Sequence, residues 1–90
     1  MRRIWKYEVE PNSAKDDVHR IKLKVPFGAR PLTVQIQDGK ACLWVEVDEK
    51  APLEQFVLFC VGTGFGIPPN PPAQYLATIV QGAYVWHFYW

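Results

Sequence analysis

The side chains that could act as nucleophiles are few in this chain. Ser13 is the only serine, and Pro11-Asn12-Ser13 predicts a turn rather than the strained turn that presents a catalytic serine. Cys42 and Cys60 each lie inside an apolar run. A catalytic cysteine needs an exposed, electropositive setting, whereas thiols in apolar strands are normally inert. We therefore expect no enzymatic activity and no catalytic residues.

The histidines and acidic residues do not form a recognisable metal-binding pattern. No pair among the two histidines and two cysteines has ligand spacing such as Cys-x-x-Cys or His-x3-His. Asp16, Asp17 and His19 are close in sequence and could gather around a hard cation, but acidic residues are mostly solvated. The sequence predicts no metal site and no cofactor.

A glycine-rich segment, Gly62-Thr63-Gly64-Phe65-Gly66, is the most suggestive loop. Closely spaced glycines let backbone N–H groups approach an anion. The alternative is a flexible turn that leaves a strand, because glycine is the default residue of tight turns. Ile67-Pro68-Pro69 follows, so no helix N-terminus can receive a phosphate as in a dinucleotide-binding motif. Gly62, Thr63 and Gly64 are candidate ligand-binding residues.

Basic side chains alternate along one predicted strand, and another follows soon after: Arg20, Lys22, Lys24 and Arg30. Such a stripe could attract phosphates or an acidic partner, which makes Arg20 and Arg30 candidate ligand-binding residues. The interpretation that we favour is pairing of the stripe with Glu8 and Glu10 across an antiparallel hairpin, because strands that are neighbours in sequence usually pair.

Aromatic residues make up 14% of the chain, including four tryptophans. Trp44 shares a strand face with Cys42 and Glu46, and Trp86 alternates with His87 in the run 84–90. Tryptophan packs in cores, lines subunit interfaces and stacks on nucleobases. Stacking by Trp44 or Trp86 and polar contacts from Gln35 and His87 complete the candidate binding set.

Period-2 alternation of apolar and polar residues predicts strands throughout the chain, and no stretch shows convincing helical periodicity. Asp38-Gly39 indicates a tight hairpin, and Gly82 a second one. The segment 55–61 is apolar on both faces, which predicts a central strand. We expect an all-β fold, a small seven-stranded antiparallel sandwich or partly open barrel, as one domain over 1–90. The predicted strands span residues 4–10, 18–25, 32–37, 42–47, 55–61, 75–81 and 84–90.

Composition limits the classes of partner. The 90 residues are 49% hydrophobic and 21% charged, with a formal net charge of +1. This balance is that of a globular domain and carries no whole-domain footprint for nucleic acid, so we do not expect sequence-specific nucleic-acid binding. The longest apolar stretch, 56–61, is too short to span a membrane, and Met1-Arg2-Arg3 leads straight into a strand pattern. We expect a cytosolic protein with two free, buried thiols.

The whole chain resembles a family of small uncharacterised proteins from tailed phages and prophages. The matching segments are Ile4-Trp5-Lys6-Tyr7-Glu8, Pro26 with Gly28-Ala29, Val34-Gln35 with Gln37, Cys42-Leu43-Trp44 with Val47-Asp48, Gly62-Thr63-Gly64, and Trp86-His87-Phe88. The resemblance implies a phage accessory protein that acts in the host bacterial cytoplasm. By analogy with other small phage proteins, it also suggests a role in countering host defence.

These observations favour a non-catalytic binding protein of phage origin that blunts host defence. The preferred form is a homo-oligomer that sequesters a nucleotide-type immune signal. Direct inhibition of a host defence protein through the aromatic surface is the nearest alternative. A structural or assembly accessory protein with no small-molecule ligand is the alternative of another class, and a concave, polar-lined aromatic pocket would distinguish the two classes.

Overall fold

Seven antiparallel strands form two sheets in the computed structural model, which describes residues 1–11, 19–67 and 74–90. These residues contain no helix, so none is long and apolar enough to span a membrane. The predicted all-β sandwich is confirmed, and the sheets do not close into a barrel. The strands are β1 Arg2–Glu8, β2 His19–Pro26, β3 Arg30–Gln37, β4 Lys40–Asp48, β5 Leu53–Gly62, β6 Tyr75–Gln81 and β7 Tyr84–Tyr89.

The first sheet has the strand order β1-β4-β3, and the second has the order β2-β5-β7-β6. The central position predicted for the segment 55–61 is confirmed, because β5 lies between β2 and β7. The favoured pairing of β1 with β2 is wrong, since the two strands lie in different sheets. Glu8 instead approaches Lys40 at 3.5 Å, and a Glu10 carboxylate oxygen accepts a hydrogen bond from the Ala41 N–H.

Both predicted hairpin turns are present, and each depends on positive backbone φ. Asp38 and Gly39 have φ of 51° and 78° between β3 and β4. Positive φ at both central residues is typical of the tight turn whose twist matches that of the paired strands. Gly82, with φ of 59°, occupies the turn between β6 and β7.

The core lies between the two sheets and consists of alternate residues of their strands. Leu43 and Leu58 are fully buried representatives of the two sheets, and Phe88 adds the largest fully buried side chain. Polar side chains on the outer faces therefore belong to two separate surfaces. The buried cluster contains Val9, Val34, Ala41, Leu43, Val45, Val47, Leu58, Cys60, Ala77, Ile79, Trp86 and Phe88.

Two polar contacts tie the sheets together outside this core. The Glu10 carboxylate, which accepts from the Ala41 N–H, also accepts a hydrogen bond of 3.1 Å from the Gln81 side-chain amide on β6. The Tyr7 hydroxyl on β1 donates to the Lys24 carbonyl on β2 at 3.3 Å. These contacts help to fix the relative position of the sheets, and thus of the surfaces they present.

Candidate ligand-binding site

His87 lies at the centre of a chain of four polar side chains on the outer face of the second sheet. The Thr63 hydroxyl is 2.8 Å from Nε2 of His87, and the Thr78 hydroxyl is 3.0 Å from Nδ1. The Tyr75 hydroxyl lies 2.7 Å from the Thr78 hydroxyl. Both imidazole nitrogens are therefore engaged, which fixes the plane of the ring.

Strand register and one bulge bring these four side chains together. His87 on β7 is paired with Val61 on one side and with Thr78 on the other. Residues three apart normally point to opposite faces of a strand. The irregularity of β6 between Tyr75 and Ala77 reverses that parity, so Tyr75 and Thr78 share the outer face.

This series of hydrogen-bonded side chains can accommodate either a donor or an acceptor. A neutral imidazole has one donor and one acceptor nitrogen, and each threonine or tyrosine hydroxyl can both donate and accept. Thr63 and Thr78 can therefore exchange roles when the tautomer of His87 changes. The partners of His87 in this arrangement are hydroxyls rather than carboxylates.

An open cleft of about 200 Å³ lies beside His87. The turn after β5 forms one wall, closed by a hydrogen bond of 3.2 Å from the Phe65 N–H to the Gly62 carbonyl. Gly64 takes a φ of 95° in this turn, a conformation that favours glycine. The cleft is lined by Val61, Gly62, Thr63, Gly64, Phe65, Ile67, His87 and Tyr89.

Gly62 is set apart by close packing rather than by its backbone conformation. A Cβ atom at this position would lie 3.1 Å from Cδ2 of Phe65 and 3.5 Å from Cζ3 of Trp86. The absence of a side chain lets the Phe65 ring lie against the backbone at the end of β5. Gly62 thus shapes the wall of the cleft.

The structure brings four of the nine predicted binding residues to this cleft: Gly62, Thr63, Gly64 and His87. Trp86 is adjacent in sequence but belongs to the core, with 5% of its surface exposed. Its indole Nε1–H is buried and has no hydrogen-bond partner among the described residues. Trp86 therefore packs in the core on the inner face of the sheet and presents no exposed ring face on which a ligand could stack.

Three other predicted residues lie on the outer face of the first sheet. Trp44 is paired with Thr33, Gln35 with Cys42, and Arg30 with Glu46. Because the core separates the two outer faces, Trp44, Gln35 and Arg30 cannot contact a small ligand in the His87 cleft of the same chain. Eight of the nine predicted residues thus divide between two surfaces, while Trp86 lies in the core.

Arg30 is engaged in an ion-pair network on that first surface. Its guanidinium lies 3.2 Å from Oε1 of Glu46, while the Arg2 guanidinium lies 2.6 Å from Oε2. The hydrogen bond from Arg2, reinforced by the positive charge of Arg30, lowers the pKa of Glu46. Arg30 thus makes an exposed ion pair that links β3 to β4.

Arg20, the ninth predicted residue, lies on the same outer face as the cleft. Its guanidinium carbon is 5.4 Å from the centre of the Phe59 ring, a cation–π arrangement. Lys22 and Lys24 follow on β2 in register with Val57 and Gln55. The basic stripe thus faces solvent beside apolar and aromatic side chains of β5.

Sequence reasoning missed Tyr89, Thr78 and Phe65 as site residues. Tyr89 could have been found from its parity, since it shares a strand face with His87. Thr78 could have been found from the register of the Gly82 hairpin, which pairs it with His87, whereas the alignment of Tyr75 with it depends on a β6 bulge that has no local sequence signal. Phe65 lies in the glycine-rich loop that the sequence singled out, but there only backbone contacts were predicted.

The thiols do not form part of the cleft, and both are free and buried as predicted. Cys60 is fully buried, and burial raises the pKa of its thiol to about 12. A thiol with this pKa is almost entirely protonated near neutral pH. Within residues 1–11, 19–67 and 74–90, no three potential metal ligands lie close enough to hold an ion; Asp16 and Asp17 fall outside these ranges.

Comparison with known families matches the full length of the sequence. The family described as "Domain of unknown function (DUF7352)" matches residues 1–90, the whole length of the sequence. The comparison with curated proteins found no match, and neither did the comparison with solved structures. The residues of the cleft are therefore the main guide to function.

Proposed function

Since the chain belongs to that family of unknown function, we propose from its own surface that it is a non-catalytic binding protein for a nucleotide-type small molecule. The ligand's base enters the cleft beside His87. The observation that carries the proposal is the adaptable chain Thr63–His87–Thr78 at the edge of an aromatic-lined cleft. A nucleobase edge presents both donors and acceptors, which such a chain can match.

The surroundings of His87 support recognition of a flat ring. Tyr89 and Phe65 line the cleft and offer aromatic surface, and 47% of Phe65 is exposed. Base–aromatic stacking contributes about 1–3 kcal/mol per base. The glycine-rich turn at Gly64 adds backbone that can approach a ligand closely.

Binding without chemical conversion is supported by the state of the thiols and of His87. Cys60 has a pKa of about 12 and lies in the core, away from the cleft. The hydrogen-bond partners of His87 are two threonine hydroxyls, and the described residues that line the cleft include neither a carboxylate nor a thiol. A ligand held in this way would be sequestered.

The biological setting that we propose follows from the resemblance of the chain to proteins of tailed phages and prophages. A phage accessory protein in the host bacterial cytoplasm that holds a nucleotide-type immune signal would blunt host defence. A homo-oligomer is the preferred form.

Direct inhibition of a host defence protein is a second candidate, and one observation favours it. The edge strand β6 exposes Val80 by 67% and Tyr75 by 53% on the outer face of the second sheet. Exposed apolar residues grouped on an edge strand are typical of protein interfaces. This surface borders the cleft, so a protein partner and a small ligand would compete.

Native mass spectrometry of the protein purified from a bacterial cytoplasm tests the proposal. Denaturation then releases any bound molecule for mass analysis. A complex that carries a nucleotide, or takes one up from a panel of mono- and oligonucleotides, is the expected result. A bare protein whose mass no nucleotide shifts would contradict it and favour a protein partner or an assembly role.

A further inference from the structure

We infer that the ligand is a short single-stranded oligonucleotide of at least two nucleotides, which extends from the His87 cleft across the outer face of the second sheet toward β2. This inference rests on the proposed function, because it names the class of nucleotide. It is carried by the size of the cleft, an aromatic row across the sheet and the segregation of charge on this face.

The cleft is too small for an entire nucleotide ligand. Its volume is about 200 Å³, whereas pockets that enclose drug-sized ligands measure roughly 300–1,000 Å³. A cleft of this size can enclose a base but leaves the sugar and phosphate outside. The rest of the ligand must therefore lie on the adjoining surface.

That surface carries a row of aromatic side chains across the sheet. Strand register places Phe59 beside Tyr89, and Tyr89 beside Tyr75. The rings of Tyr89 and Tyr75 are 5.7 Å apart at an angle of 72°. Since Tyr89 also lines the cleft, the row begins where the cleft ends. Exposed aromatics on a sheet are platforms on which successive bases stack.

Charge on this face is of one sign. Arg20, Lys22 and Lys24 are exposed on β2, whereas the four strands of the sheet contain a single acidic residue, Glu54. Glu54 is paired with the buried Val25, so by strand alternation it does not belong to the face that carries Arg20 and Lys22. Its carboxylate accepts a hydrogen bond from the Gly28 N–H. The described part of this face thus presents three cations and no carboxylate, although the whole chain has a net charge of only +1.

Strand geometry gives the spacing between cleft and cations. Arg20 is in register with Phe59, which lies two residues along β5 from Val61, the residue paired with His87. Lys22 is in register with Val57, which lies roughly 13 Å along β5 from Val61 at about 3.3 Å per residue. A phosphate attached to the nucleotide in the cleft can approach Arg20. Reaching Lys22 and Lys24 requires a further nucleotide.

Calorimetric titration with adenylates of one, two and three nucleotides (pA, pApA and pApApA) tests this inference on the full chain. We expect pApApA to bind at least tenfold more tightly than pA. Replacing Lys22 and Lys24 together by glutamine should remove most of this gain and leave pA binding unchanged. In the variant without Lys22 and Lys24, the slope of log K against log salt for pApApA should become less steep by about 1.4. Each phosphate contact on a single strand contributes about 0.7 to that slope.

Two further variants complete the test. Lys40→Gln with Lys50→Gln removes the same charge outside the second sheet and should leave all affinities unchanged. Phe59→Leu should weaken pApApA binding about 5- to 150-fold, the range expected for loss of one stacked base. Thermal melting of each variant identifies any that fails to fold.

The outcomes separate this inference from the proposed function. If pA and pApApA bind equally well, the inference is overturned while the proposed function stands. If no nucleotide binds, both fail. A surface used instead for a second copy of the chain would show as concentration-dependent dimerisation that Phe59→Leu abolishes, with no dependence of affinity on ligand length.

Discussion

The Thr63 hydroxyl lies 2.8 Å from Nε2 of His87, although the two residues are 24 positions apart. Thr63 follows directly after β5, and its N–H donates a hydrogen bond to the Val85 carbonyl. The contact therefore joins the end of β5 to the middle of β7, its neighbour in the sheet. It couples the glycine-rich turn to the imidazole. The orientation of His87 and the shape of the cleft wall are therefore parts of one arrangement.

Replacement of Thr63 by valine tests that arrangement. The change keeps the side-chain shape but removes the hydrogen bond to Nε2, so we expect pApA affinity to fall about tenfold, as for loss of about 1.4 kcal/mol. The free energy of unfolding should fall by only about 0.5–1.5 kcal/mol. Thr33→Val makes the same chemical change on the first sheet and serves as the control. Equal affinities for both variants would contradict the account.

Trp44→Ala distinguishes the two surfaces that carry predicted binding residues. Trp44 lies on the outer face of the first sheet, half-buried and opposite Thr33. We expect calorimetry to give an affinity for pApA within about twofold of the unchanged protein, because no atom of Trp44 lines the cleft. Loss of binding by a folded Trp44→Ala variant would place the ligand on the first sheet or between two subunits.

Gly62→Ala should distort the cleft wall. The new methyl group would lie 3.1 Å from Cδ2 of Phe65, closer than ordinary van der Waals contact. Phe65 is 47% exposed and can move, so we expect a stability loss of about 1 kcal/mol, at the low end for overpacking, together with weaker nucleotide binding. Thermal melting should show a smaller loss in a Phe65→Ala background. An equal loss in both backgrounds would contradict the packing explanation.

Burial of Cys60 makes stability depend on pH in the alkaline range. The thiol pKa is about 12 in the folded protein against 9.0 for a free thiol, so above pH 9 the unfolded chain loses this proton first. The stabilisation is complete below pH 9 and is lost as the pH rises toward 12. Between pH 8.5 and 10, the free energy of unfolding should fall by about 1 kcal/mol more for the unchanged protein than for Cys60→Ala. Urea titrations at both pH values measure this difference, and parallel pH profiles would contradict it.

Local features of the fold could be predicted from the sequence because their causes are local. Asp38-Gly39 combines two residues that tolerate positive φ, and both adopt it. The segment 55–61 is rich in apolar residues on both faces, and the structure places it as β5 between β2 and β7. Alternation in the last strand puts Trp86 and His87 on opposite faces, although both were predicted as binding residues, and the structure buries Trp86 and leaves His87 half-buried.

Features that depend on distant partners could not be predicted in the same way. Glu8 and the basic stripe on β2 have complementary charges, yet their strands lie in different sheets. Nothing in either strand specifies its sheet, because both have one apolar face that either sheet can bury. For the same reason the sequence grouped Trp44 with His87, although the core separates them.

The most direct test of the central claim is a nuclear magnetic resonance titration of the labelled protein with pApA, following backbone amides and histidine ring nitrogens. We predict saturable shifts of the His87 imidazole and of the Thr63 and Gly64 amides, with Trp44 unaffected. Such shifts would place the nucleotide in the cleft beside His87. Unchanged His87 and Thr63 signals at millimolar pApA, or shifts centred on Trp44, would contradict the account.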